Sequence, residues 1–594
     1  MKRTTIRVAA FSPGSREDKE MLVREMLVRT LICVLALTSM NAMAVDTVYF
    51  NAEVYTVNPN QPWVSAIAVE DGRFVAVGSD SEVKALATKS TRMVDMEGQF
   101  MMPGMIDSHT HPVRVIMMED VLFRNDNFIP RTPAEFGEIL KAYADKNPDK
   151  EWIYGAAFSW TYFLGSGIAM DRHFLDKYVA DRPVVIEDDG GHVVVANTRA
   201  LQIAGVTADT PDPVGGSIAR DADGQPTGRL NAAPAIKLVL RHHPRFELDD
   251  VYYAAKKATG IITSFGFTGI KVLEGDEVQM AAFKRLDEEG ELKMDVRHFP
   301  YQEDFYFGFR NDDAILARDE YETEHYKVDG VKLFIDSTPF GRAIAVKQPF
   351  IGDGTDFGKT FTTYEQYRDD MVRWNGLGLS VATHTMGDRG LELEIRAMEE
   401  SAEINGLEKV RNLRNQVAHA MMVDPADIPR LRHVNGFLEF SPNVFLGLQL
   451  FDVAAQDLEM SQLRRIWPMA DAVNNGVNYT IASDWIQAPM NPFLHIEQAM
   501  TRSQQGAAEI QDKFDPAQTI SLPQAIKGYT INAARIMRIE DRAGSIEVGK
   551  NANFLVIDRN PFDVPVNQIH KRFAKQVFFE GELVHTNEKQ VERD

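Results

Sequence analysis

Cysteine is almost missing: the 594 residues contain one, Cys33. A lone thiol closes no intrachain disulfide and supplies no set of sulfur ligands, so any metal must be held by His, carboxylate or modified Lys. Positive charge is in deficit as well, with 64 Lys and Arg against 86 Asp and Glu and a net charge of −22. Such a field repels phosphate backbones and anionic lipid, which argues against nucleic-acid or membrane-surface binding and for neutral or cationic small molecules. There are no tandem repeats or long low-complexity runs, and no apolar stretch approaches the roughly 20 residues that span a bilayer. What is present, 44% hydrophobic and 25% charged residues, is an ordinary globular composition in a chain long enough to bury a large core under accessory layers.

Residues 27–44 read LVRTLICVLALTSMNAMA, with Arg29 ahead of an apolar run from Leu31 to Leu37 and the small-residue pattern Ala42-Met43-Ala44 at the end. This is the anatomy of a secretory signal peptide; the run is too short to favour a retained transmembrane helix. Residues 1–44 are expected to be removed, giving a periplasmic or secreted protein that starts at Val45 and has no membrane contact after cleavage. The polar residues 1–25 make an unusually long lead and point to Met26 as the start of translation. Cys33 lies too far from the cleavage point to be a lipid-anchored first residue, so the mature chain would carry no thiol.

Two β-rich ends flank a long α/β middle. AIAVEDGRFVAVG places Asp71-Gly72 between alternating apolar runs, and KQVFFEGELVHT does the same around Gly581, both hairpin signals. Residues 45–100 and 544–594 are expected to assemble one small β-sandwich from both termini. Residues 101–543 alternate short apolar runs with amphipathic helical stretches, the pattern of a parallel α/β barrel. Eight candidate strands are Met101–Asp107, Thr268–Leu273, Met294–Phe299, Gly330–Asp336, Leu379–His384, Asn415–His419, Phe437–Ser441 and Asn478–Asp484, the number a (β/α)8 TIM-like barrel needs. Residues 112–260, after the first strand, far exceed a normal βα connection. They read as an inserted subdomain, placed at the strand's C-terminal end where it can cover an active site.

The strongest local signal is PGMIDSHTHP, where His109 and His111 follow a strand rich in Met and Ile. Side chains two apart on an extended segment point the same way, so both imidazoles can grip one cation. Lys332 in VDGVKLFID, His384 ending LSVATH, His419 ending NQVAH and Asp484 ending NYTIASD each lie close to or at the C-terminal end of a later candidate strand. A barrel brings such ends together. Each has a bland reading by itself: a strand-end amine, satisfied histidines, a helix N-cap. All of them in this order are hard to explain that way.

The order resembles the amidohydrolase superfamily, and the surrounding text resembles its family 3 branch, which includes N-substituted formamide deformylases. The likeness runs from about Asp46 to Phe562 through PGMIDSHTH, GGHVVVANTRAL, PTGRL, VKLFIDS, HTMGDRG, SDW and GSIEVGKNANFLVID, and it also guides the count of eight strands. It implies that His109, His111 and Asp484 bind one divalent metal, expected to be zinc, that His384 and His419 bind a second where two are present, and that a carboxylated Lys332 bridges them. It implies His192, Asp388 and Asp484 as catalytic residues, the first two beside the ligands or facing substrate. The implied reaction is hydrolysis of an amide, N-acyl or N-formyl C–N bond in a small molecule by metal-activated hydroxide. Ala418, Trp485 and Asn231 depart from the branch where an acidic, a small and an acidic residue are common, which weakens close substrate analogies; Trp485 would narrow the pocket. An ester or lactone hydrolase or a deaminase on the same barrel is the alternative, although no His-X-X-Glu follows the fifth strand. Outside enzymes, an exported metal- or solute-binding protein on an inactive scaffold is the other reading. A homo-oligomer is compatible with the sequence.

Overall fold

Parallel strands covered on both faces are buried along their length, and the central strands follow this. The computed structural model describes residues 45–589 except 125–131, 159–162, 164, 189–192, 214, 340–341, 353, 448–449, 486–489 and 507–514. The signal-like segment and His192 lie outside the described residues. The parallel strands are β1 (Met105–Thr110), β2 (Phe267–Val272), β3 (Asp295–His298), β4 (Gly330–Phe334), β5 (Ser380–Thr385), β6 (Gln416–His419), β7 (Phe437–Phe440) and β8 (Asn478–Ile481). Every position of β1, β2, β3, β6 and β7 is buried. Helices fill the connections. Leu248–Ser264, for instance, buries Val251, Ala254, Ala255, Ala258 and Ile262, the three-and-four spacing of a single helical face. The result is an α/β, TIM-barrel-like fold.

The strands form two sheets. One runs from β1 through β2 and β3 to a short strand Tyr326–Val328, the other from β4 through β5, β6 and β7 to β8. Only Asp329 separates Tyr326–Val328 from β4. Across the same seam Lys332 donates its N–H to Pro300 O at 3.0 Å. At the opposite seam Asp484 donates its N–H to His109 O (3.0 Å) and His111 to Trp485 O (3.3 Å).

Three expected strands need correction. Met101–Asp107 is two strands rather than one: Phe100–Pro103 pairs antiparallel with Phe554–Ile557, and β1 starts at Met105 and reaches Thr110. Gly104 makes the break, since a Cβ there would meet Thr268 Oγ1 at 2.2 Å; the close approach admits only glycine. His109 thus lies inside β1, not beyond it. At the other end β8 stops at Ile481, and Asp484 lies in the segment just after it, at φ of 49°. β4 likewise stops at Phe334, so Asp336 is outside it.

A four-stranded sheet holds the hairpin Ala66–Glu70/Arg73–Gly78, and a six-stranded sheet joins Phe554–Ile557 and the hairpin Ala574–Phe579/Glu582–Thr586 to three strands from residues 53–103. Both hairpins turn on two residues of positive φ, Asp71 and Gly72 (46° and 72°) and Glu580 and Gly581 (48° and 76°), the geometry that matches strand twist. Side chains of the two sheets, including Tyr49, Ile67, Phe74, Phe554 and Phe578, pack in one apolar cluster. Between β1 and β2 a further sheet of six strands, from Phe123 to Asn231, has apolar clusters of its own. Among the described residues no helix is long and apolar enough to cross a membrane.

A histidine clasps the terminal hairpin to the α/β unit. His325 Nδ1 lies 2.9 Å from Asp287 Oδ1 and its Nε2 3.5 Å from Glu580 Oε2. Hydrogen bonding to Asp287 and Glu580 raises the imidazole to about 10. A histidine raised this way contributes stability that is fully present below its unfolded value near 6.5, declines as pH rises, and is gone above about 10. Melting curves at pH 6, 8 and 10 should therefore show a steeper fall for wild type than for His325→Gln; parallel curves would disprove the clasp.

Candidate metal centre

Alternation along an extended strand sends Asp107, His109 and His111 to one side of the chain and Ser108 and Thr110 to the other. Asp107 works as a brace. Its carboxylate accepts the N–H of His109 and of Ser483, each at 3.2 Å, and so ties β1 to the chain beyond β8. Burial pushes this carboxyl up to about 7.

Beyond the brace the expected side chains converge. His109 Nε2 is 3.2 Å from His111 Nε2, 3.4 Å from Lys332 Nζ and 3.4 Å from Asp484 Oδ1. His111 Nε2 is 3.1 Å from Asp484 Oδ1, and His419 Nδ1 is 3.9 Å from Asp484 Oδ2. The His419 ring centroid lies 4.7 Å from that of His109 and 4.5 Å from that of His384. His109 and Lys332 are fully enclosed, whereas the His111 and Asp484 side chains each keep 12% of their surface open, which marks the face a small molecule can approach.

The electrostatics favour neutral nitrogens. Burial, reinforced by Lys332 and the neighbouring imidazoles, holds His109 well below the usual histidine range, and burial does the same to His419. For His111 burial pulls the same way, but the Asp484 and Glu274 carboxylates outweigh it and raise the group. Burial lowers the Lys332 amine to about 8, against partial opposition from Asp484 and Glu439.

This donor set fits a divalent cation. Ligand bonds of about 2.0–2.2 Å at a tetrahedral angle place donor atoms roughly 3.3 Å apart, and the separations among His109 Nε2, His111 Nε2 and Asp484 Oδ1 are 3.1–3.4 Å. Within the described residues, buried His419 Nδ1 has no hydrogen-bond partner, which is costly for a nitrogen left so but natural for a ligand. The backbone is also strained here. His419 and Asp484 sit at φ of 74° and 49°, conformations that cost roughly 1–3 kcal/mol each in non-glycine residues and persist where the surroundings hold them.

Two carboxylates at the site were missed in the sequence. Glu274, just past β2, accepts the N–H of Val113 and Arg114 and stands 3.7 Å from His111 Nδ1. Glu439, inside β7, lies 2.7 Å from His109 Nδ1. The available signal was a buried acid in an otherwise apolar strand, FLEF, which is rare without a partner. The implied catalytic residue Asp388 is not seen against the imidazoles: its oxygens take the Lys347 N–H at 2.8 Å and the Arg465 guanidinium at 3.2 Å. Trp485 is buried and belongs to the seam with β1.

Glu274 also lines a cavity of about 70 Å3, together with Met117, Tyr154, Phe246, Tyr306 and Phe307. Both arginines in its wall are paired. Arg114 pairs with Glu187 and stacks on the Tyr306 ring, and Arg245 pairs with Asp276 at 3.0 Å.

A sequence profile of the amidohydrolase family matches residues 92–585. N-substituted formamide deformylase of Arthrobacter pascens is 25% identical over 91% of this chain and 98% of its own. Exoenzymes regulatory protein AepA of Pectobacterium carotovorum is 30% identical over 70% of this chain and 89% of its own. Among solved structures, an uncharacterized metal-dependent hydrolase from Pyrococcus horikoshii superposes with a TM-score of 0.69 over 88% of this chain and 99% of its own, at 21% identity, a likeness of fold.

Proposed function

The chain belongs to the amidohydrolase family and is a metal-dependent hydrolase of carbon–nitrogen bonds, and from that premise we propose that it cleaves an amide, N-acyl or N-formyl bond of a neutral small molecule. Relatives with names as different as deformylase and exoenzyme regulator share this family, so the reading rests on the site. The observation that carries it is the meeting of His109, His111 and Asp484 donors at ligand spacing, open to solvent on the Asp484 side. Zinc is the cation we favour, as one ion on these three residues or as two with His384 and His419, bridged through a carboxylated Lys332. A bound divalent cation supplies a polarised carbonyl oxygen and a water made acidic enough to react at neutral pH. The chain does the rest. Asp484 takes a proton from the attacking water and returns it to the departing nitrogen, and Glu274 keeps His111 turned toward the cluster. The cavity beside Glu274, whose wall is largely apolar and aromatic and whose two arginines are paired, receives a neutral apolar substituent.

The architecture is read in the same terms. Residues 101–543 form a closed eight-stranded barrel, residues 45–100 and 544–594 one composite sandwich, and about 112–260 a cover over the site. The hydrogen bonds between β1 and the chain after β8 support closure. Residues 1–44 act as an export signal.

One preparation tests this reading. Exported protein should have the intact mass of a chain that begins at Val45, contain zinc in stoichiometric amount, lose turnover on chelation and recover it on zinc return. It should hydrolyse members of a panel of N-formyl, N-acyl and cyclic amides, with KM falling as the substituent grows more apolar. Ester-only turnover, or a purified protein that takes up no metal, defeats the proposal.

A further inference from the structure

A carboxylate within β7 touches two candidate ligands at once. Glu439 Oε2 lies 2.7 Å from His109 Nδ1 and accepts the His419 N–H at 2.9 Å. Its other oxygen accepts from Ser441 Oγ, and its side chain is fully enclosed. One oxygen thus connects the second-last residue of β1 with the last residue of β6.

Two roles are open to such a group, ligand or brace, and distance decides. Donors that share a cation stand roughly 3.3 Å apart; 2.7 Å between nitrogen and oxygen is a direct hydrogen bond with no room for an ion between them. We propose that Glu439 is a positioning residue that fixes the tautomer of His109 and the backbone of His419, so that each presents a bare ring nitrogen to the metal centre. Both Glu439 oxygens already act as acceptors, Oε2 from the His419 N–H and Oε1 from Ser441 Oγ, which assigns the proton of the His109–Glu439 contact to Nδ1. That leaves the lone pair on Nε2, the nitrogen facing His111, Lys332 and Asp484. Carboxylates that hold a ligating imidazole in this way also raise its basicity. The second contact falls on His419 at φ of 74°, so the same oxygen that sets one ring stabilises the strained turn which aims the other.

The proposal rests on the metal-centre reading, and its test separates the two. Metal-free wild type, Glu439→Gln and Glu439→Asp are titrated with Co2+, read by visible absorption, and with Zn2+ against a competing chelator; circular dichroism and melting of the metal-free proteins report the fold. In Glu439→Gln an amide N–H turned to Nδ1 moves the ring proton to Nε2 and blocks the ligand lone pair. Its affinity should fall roughly 10–100-fold, with an altered Co2+ spectrum. Glu439→Asp keeps the charge but is too short to span both contacts, and should fall between wild type and Glu439→Gln. Wild-type affinity and spectrum in a folded Glu439→Gln overturn the positioning role. If that variant does not fold, wild-type affinity and spectrum in Glu439→Asp overturn it instead. Failure of wild type to take up Co2+ or Zn2+ overturns the metal-centre reading itself.

Discussion

Asp484→Asn is expected to lose at least about 10²-fold in kcat while retaining most of its metal, because the reaction needs a group that both takes and gives a proton. Water attacks the carbonyl carbon, the C–N bond breaks, and the water's proton must end on the leaving nitrogen, since an amide anion is too poor a leaving group to depart bare. Asp484 is placed for that transfer. Oδ1 is held 3.1 Å from His111 Nε2 and 3.4 Å from His109 Nε2, and the side chain keeps an open edge of 12%. The segment that presents it is fixed by the Asp484 N–H to His109 O bond, which an Asn leaves in place. Asn preserves the shape and one oxygen donor but can neither accept the proton nor return it. Positioned acid–base catalysis contributes about 10²–10⁴-fold, and the loss should appear in kcat with little change in KM. Single-turnover rates on variant protein of verified metal content decide the matter; more than about a tenth of the wild-type rate would remove Asp484 as the proton carrier.

The existence and order of the strands were legible in the sequence; their exact ends and seams were not. His109 and His111 announce themselves because spacing of two on an extended chain is a geometric statement, and Lys332, His384, His419 and Asp484 each follow or lie in an apolar run. The break at Gly104 was hidden, since Met101–Asp107 reads as one strand although a tertiary contact with Thr268 divides it. The hairpins were plain from Asp71-Gly72 and Glu580-Gly581, whose turn geometry is local. Glu439 was signalled only as an acid in the apolar run FLEF, without its partner, and Glu274 not at all. Their partners, His109 and the Val113 and Arg114 amides, are 330, 161 and 160 positions away, and no local pattern encodes a contact of that range. Asp388 is the converse case: a motif residue whose observed partners are Lys347 and Arg465.

Lys332→Ala and Lys332→Arg should be inactive alike, by on the order of 10²-fold or more, and only the Ala variant should regain activity with added short carboxylic acids. The contrast follows from what a lysine can be at this position. Its Nζ lies 3.4 Å from His109 Nε2 inside a fully enclosed cluster. As an ammonium it would repel a divalent cation and offer no lone pair. Burial lowers the amine below the usual lysine range, so the neutral form is more populated at neutral pH than in an exposed lysine. The neutral amine adds to carbon dioxide, forming an N–C bond and releasing one proton, and the resulting carbamate is an anionic oxygen ligand suited to hard and borderline cations. Arg keeps a positive charge of similar reach yet cannot be carboxylated, so it separates a need for charge from a need for carbamate. Ala leaves a gap that a small carboxylate can fill with equivalent oxygens. A metal lost or displaced with the proposed carbamate would forfeit several kcal/mol of charge stabilisation, which at about 1.4 kcal/mol per tenfold sets the expected factor. 13C NMR of enzyme exposed to labelled bicarbonate should show a carbamate resonance in wild type and none in Lys332→Arg. An active Lys332→Arg enzyme, or wild type without that resonance at full activity, would show that Lys332 acts as a cation.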